Sequence, residues 1–196
     1  ISIGTTSEIN NRNSTEAMLQ DIVDALYGFA QANDRLPCPA TAASNGFSAP
    51  AAAGACSGGA VSVGFVPSGT LGLSGPLDGN NLLSDPWGNP YRYVVSNSAA
   101  NAFTSANMGN AMVATIASGA NLRVCDSASC AAVVAANLPA VVLSMGADWA
   151  AAAAGADSTE NSREATTAGY RMPNDADFVS SVYIEDVFDD MLNWVS

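Results

Sequence analysis

Chemistry in this chain would have to come from carboxylates, cysteines or indoles. Glu185, Asp186, Asp189 and Asp190 lie close together near the C-terminus, and such a cluster can do acid–base work or bind calcium. None fits the D-x-[DN]-x-[DN]-G loop, and carboxylates that are neighbours in sequence need not face one another. A solvated acidic face or a hydrogen-bonded cap is therefore expected, with Asp186, Asp189 and Asp190 left as calcium candidates; Asp148, Asp157 and Glu160 repeat the case more thinly. The four cysteines, Cys38, Cys56, Cys125 and Cys130, sit among Gly, Ser and Ala. Of three possible pairings the sequence-local one is expected, Cys38 with Cys56 and Cys125 with Cys130. The Cys125-x4-Cys130 spacing suits no zinc site. Two disulfides imply an oxidising, extracytoplasmic setting, and closing the first loop is worth roughly 3 kcal/mol in the chain-entropy picture. Trp87 and Trp194 have faces that can stack on a sugar, but a Trp beside prolines reads first as a core anchor.

Composition removes much of the remaining chemistry. The 196 residues contain no His and no Lys. Imidazole bases, His-type triads, His-ligated zinc, Schiff bases and P-loop lysines are all excluded. Six Arg against eighteen Asp plus Glu leave a net charge of −12, which repels phosphate backbones and anionic lipid, so no nucleic-acid partner is expected. No run of about 18 apolar residues occurs, so no segment reads as a membrane span. No cofactor, no metal and no enzymatic activity are expected. Hydrophobic letters make up 48% and aromatics only 7%, so the core must rely on small side chains. The length suits one domain over residues 1–196.

Elements to position these residues follow from the patterning. Met18, Ile22, Ala25 and Phe29, flanked by Leu19, Val23, Leu26 and Ala30, make the broad apolar face of an amphipathic helix over Ser14–Asn33. Asn13 or Ser14 suits its N-cap, and Leu36-Pro37-Cys38-Pro39 stops it. The face is broader than one sheet needs, so Leu19, Val23 and Tyr27 are expected to pack against neighbouring subunits. Residues 40–59 read as a disulfide-tied loop. Short β-rich runs follow at Val61–Phe65, Tyr91–Val95, Ala111–Ala117, Leu122–Cys125, Val141–Met145 and Phe178–Ile184, separated by turn residues. They predict an antiparallel sheet without βαβ units. Asp186–Val195 reads as a short C-terminal helix or turn. Helix first and strands after is an α+β pattern, with the helix laid on one face of the sheet.

The densest motif is Asp85-Pro86-Trp87-Gly88-Asn89-Pro90-Tyr91, a rigid turn that feeds a strand: two prolines fix φ around a Gly-Asn pair able to take positive φ. This turn is similar to one found in type II secretion major pseudopilins and many type IV pilin-like proteins. Ala25-Leu26-Tyr27-Gly28-Phe29-Ala30 followed by Arg35-Leu36-Pro37-Cys38-Pro39-Ala40 resembles the helix end and junction of a minor pilin-like group, with Asp34 where a Gly is common. Thr70-Leu71-Gly72-Leu73, Ala140–Ala147 and Phe188–Trp194 extend the resemblance, in the same order.

What the resemblance implies is a pilin-like fold: residues 1–34 as the second half of a long helix packed on an antiparallel sheet, and 35–196 as loops, sheet and C-terminal segment. It further implies a minor pilin or pseudopilin of a type IV pilus or a type II secretion pseudopilus in a Gram-negative bacterium, with a methylated mature N-terminus. Such a subunit reaches the cell surface through the inner membrane and periplasm. Its partners would be other pilin subunits and the assembly machinery, with adhesion as a further role. Membrane contact would come only through an N-terminal apolar half-helix that this chain does not contain. The other class to weigh is a free-standing secreted binding module with pilin-like architecture.

Overall fold

The computed structural model describes residues 3–56, 61–106, 121–147, 156–161, 165–167, 170–172, 176–181 and 190–196. A long helix α1 (Ile3–Asn33) leads. It is followed by β1 (Val61–Phe65), the one-turn helix α2 (Ser68–Leu71), β2 (Arg92–Ser96), β3 (Leu122–Cys125), β4 (Val133–Leu138) and β5 (Ala140–Ser144). A short helix α3 (Ala156–Asn161) precedes β6 (Ala165–Thr167), β7 (Tyr170–Met172), β8 (Asp177–Val179) and β9 (Met191–Val195). The class is α+β, as expected, with an N-terminal helix, antiparallel pairing and two disulfides.

The central layer is a four-stranded antiparallel sheet in the order β1-β2-β5-β9. Because side chains alternate across a strand, β2 sends Tyr93 and Val95 toward α1 and Val94 to the reverse face, while β5 divides Ala140 and Val142 from Val141 and Leu143. Leu19, Ile22, Val23 and Leu26 of α1 close the first side. A second sheet, β4-β3-β8, closes the other through Leu122, Val124, Leu138 and Phe178. A sheet covered on both faces reads as continuous apolar sequence, and all five residues of β5 are buried. The helix lies on one face, as expected, and the second sheet covers the other. The expected antiparallel pairing has one exception: β8 runs parallel to β3, Val124 against Phe178.

Three further boundaries differ from the sequence reading. The helix does not start at Asn13 or Ser14 but runs through them from Ile3. From Thr6 to Ser14 no residue is buried, so these turns carry no apolar period that could mark them. Residues 191–195, read as helix or turn, form β9, because pairing with β5 lets Leu192 and Trp194 join the inter-sheet core while Val195 faces α1. β4 was not foreseen; its Ala and Asn content gives little strand signal. The run Ala111–Ala117 and residues 182–184 lie outside the described residues.

The loop after α1 is pinned rather than loose. Ala40 and Phe65 exchange backbone hydrogen bonds of 2.8 and 2.9 Å, which brings the chain across the end of the edge strand β1. Only glycine permits this approach at position 64, where a Cβ would stand 2.5 Å from the Ala40 carbonyl oxygen. Gly54 N–H donates to Thr104 O, and Thr104 Oγ1 donates back to Gly54 O. The Cys38–Cys56 disulfide closes the same loop, with both residues in the α1-facing core.

Candidate functional site

The Asp85–Pro90 turn is organised by its carboxylate. Asp85 is 2% exposed; its Oδ1 accepts from the backbone N–H of Trp87 (3.0 Å) and of Asn89 (2.8 Å), and its Oδ2 accepts from Ser144 Oγ at 2.7 Å. Asn89 Nδ2 donates to Gly146 O at 2.8 Å, a second tie from the turn to the end of β5. Burial raises the Asp85 pKa, opposed by these hydrogen bonds and by the charge of Arg92. Gly88 takes the positive φ of 87° that the motif allows. The expected anchor is corrected: Trp87 is half-buried and Pro86 is exposed, while Asp85, Asn89 and Pro90 are buried. Arg92 lies fully buried beside the turn, its guanidinium 5.1 Å from the Phe65 ring and donating to Pro90 O. Sequence reading missed Arg92 and Ser144, since an arginine at the start of a strand and a serine at the end of one carry no motif.

The cysteines pair as expected, Cys38 with Cys56 and Cys125 with Cys130. Of the expected subunit-packing face, Leu19 and Val23 belong to the chain's own core at 2% and 4% exposure. The second half of α1 needs them against the sheet. Tyr27 is 37% exposed; its hydroxyl donates to Ser196 O and accepts from Ser196 N–H, joining α1 to the end of β9. Trp194 is half-buried against the inter-sheet core.

Of the acidic cluster, Asp186 and Asp189 lie outside the described residues. Asp190 is buried, and its Oδ2 accepts from Asn161 Nδ2 at 3.2 Å. Asn161, fully buried, also donates to Val179 O (2.9 Å) and accepts from Val179 N–H (2.7 Å), so its amide pairs with the end of β8 as a strand would. Glu160 beside it is buried too. Among the described residues no three His, Cys, Asp or Glu side chains converge to hold a metal ion. An open cleft of about 280 Å³ lies between α1 and the start of β9, lined by Arg12, Glu16, Asp190 and Asn193 among others. Its lining mixes both signs of charge and an amide with the apolar side chains of Leu19, Met191 and Leu192.

Fold and site together define a disulfide-stapled α+β domain in which buried polar groups secure turns and strand ends. Comparison with family models, with curated proteins and with solved structures finds no match.

Proposed function

We propose that this chain is the head of a minor pilin or pseudopilin, a non-enzymatic subunit of a type IV pilus or a related type II secretion pseudopilus. The observation that carries the reading is the reach of α1. At about 1.5 Å per residue, its 31 residues extend for about 46 Å, whereas the five-residue strands beneath it run about 17 Å. From Thr6 to Ser14 the helix has no buried position and is polar nearly all round, with Ile9 56% exposed. Isolated helical turns of this length are marginal in water, and a helix polar on every side is at home bridging between packed bodies. A filament in which neighbouring subunits surround the projecting turns supplies that setting. The two disulfides fit assembly in the periplasm and display at the cell surface.

The test uses the gene from its native start, expressed in a Gram-negative host with prepilin peptidase and a type IV assembly system. The reading expects a short leader cleaved ahead of a methylated residue, retention in the inner membrane, and recovery of the subunit in sheared filaments. A protein processed by the general signal peptidase and found free in the periplasm or medium would overturn it and favour a free-standing secreted binding module.

A further inference from the structure

We propose that the Cys125–Cys130 disulfide is a reversible thiol-exchange site, opened by a dithiol reductant while Cys38–Cys56 stays closed. The two bridges stand in opposite surroundings. Cys38 and Cys56 are 0% and 7% exposed and lie in the α1-facing core with Leu36, Val66 and Phe103. Cys130 is half-buried on the β3–β4 turn, between exposed Ser129 and exposed Ala131, and only Cys125 at the end of β3 is buried. An attacking thiolate needs a route to one sulfur, and accessible bridges are the labile ones. The loops differ too, with 18 positions separating Cys38 from Cys56 and 5 separating Cys125 from Cys130. The shorter closure restrains the unfolded chain less, so less stability is lost when it opens.

The turn does not depend on the bridge for its shape. Asp126 N–H donates to Ala132 O, and Asp126 Oδ1 accepts from Ala132 N–H and Ser127 Oγ. Ala128 N–H donates to Asp157 Oδ1 at 2.8 Å, which ties the turn to α3. These contacts hold the two thiols near each other after reduction, and so favour closure again when the reductant is removed. In the exchange, one thiolate of the reductant attacks Cys130 Sγ and forms a mixed disulfide. Cys125 Sγ leaves with the bonding electron pair and takes a proton. The second thiol of the reductant then displaces Cys130 as a thiol. Two electrons and two protons pass to the chain, and the reductant ends as a disulfide. Between those steps Cys130 is joined to an outside sulfur, which is how a thiol-bearing partner could be captured.

The arginines make the test direct, because cleavage after Arg35, Arg92, Arg123 and Arg163 places the two bridges in separate peptides, residues 36–92 and 124–163. The oxidised native protein is treated with graded dithiothreitol, quenched with iodoacetamide, digested with trypsin and weighed. Both cysteines of 124–163 should be alkylated at least ~10-fold faster than those of 36–92, with circular dichroism unchanged at that point and the bridge re-forming on removal of reductant. Equal rates, earlier opening of 36–92, loss of fold when 124–163 opens, or a disulfide linking the two peptides would overturn the proposal. A Cys125→Ala, Cys130→Ala double variant should melt at the same temperature with and without that dose of reductant; a fall equal to that of the unaltered protein would count against it. Should the double variant fail to fold, the bridge is structural and the proposal fails with it.

Discussion

Ser144 donates a 2.7 Å hydrogen bond to Asp85 across 59 positions of chain, joining a proline-bounded turn to the end of the central strand β5. The same serine oxygen accepts from Gly146 N–H, and Gly146 O in turn accepts from the Asn89 side chain. A closed circuit of polar groups therefore fixes where the chain enters β2 relative to where it leaves β5. The circuit is buried, so each missing partner exposes another group's desolvation cost.

Asp85→Ala should be among the most damaging single changes. It strands the Trp87 and Asn89 amides and the Ser144 hydroxyl and removes a negative charge that interacts with Arg92. A loss of about 3 kcal/mol is expected, read as a fall in Tm of about 9 °C for a chain of this size. A fall under about 3 °C would show that the turn is held by its prolines instead.

Acid should act on Asp85 in the direction opposite to most paired carboxylates. Its folded pKa is raised by burial, so the proton binds the folded state more tightly than the unfolded chain. The contribution is fully present below the unfolded value near 4 and is lost as pH rises through the raised folded value. Mild acidification also relieves repulsion in a chain of net charge −12, so the comparison must be with Asp85→Asn. From neutral pH downward, the unaltered protein should gain Tm faster than the variant. Parallel curves would contradict the assignment.

The end of α1 offers a stabilising change. Asp34 takes φ +52° directly after the last helical residue, Asn33. That left-handed position favours glycine, and a carboxylate there faces the negative end of the helix dipole, with no basic residue in the last turn. Asp34→Gly should therefore stabilise by about 0.5–1 kcal/mol. Chemical denaturation would check it, and a lower midpoint would contradict the cap assignment.

Much of α1 could be read from sequence because Leu19, Ile22, Val23 and Leu26 repeat at helical spacing and are buried together against one sheet. Its first turns could not, since no residue from Thr6 to Ser14 is buried. β9 was misread because Phe188, Leu192 and Val195 also fit helical spacing; pairing with β5 decided between the two periods. The β3–β8 pairing joins residues more than 50 positions apart, such as Arg123 and Asp177, with no local signal for a parallel partner. In the turn, the motif was visible but its buried carboxylate was not, because a sequence shows an Asp before Pro without showing that Ser144 will meet it.

Asn161 is the residue that sequence gave least reason to notice, and its substitution tests the strand-mimic geometry most sharply. Its fully buried amide satisfies both backbone groups of Val179 and one oxygen of Asp190. Asn161→Ala removes all three interactions and should cost about 3 kcal/mol. Asn161→Asp keeps the shape and the acceptor for Val179 N–H, but it places an oxygen against Val179 O and against the Asp190 carboxylate. Two like-charged buried groups then oppose each other, so the aspartate should be worse than the alanine at neutral pH. It should recover as pH falls, when the shared site takes up a proton. If instead the aspartate variant matches the asparagine across pH, Asn161 Nδ2 is not the donor between β8 and Asp190.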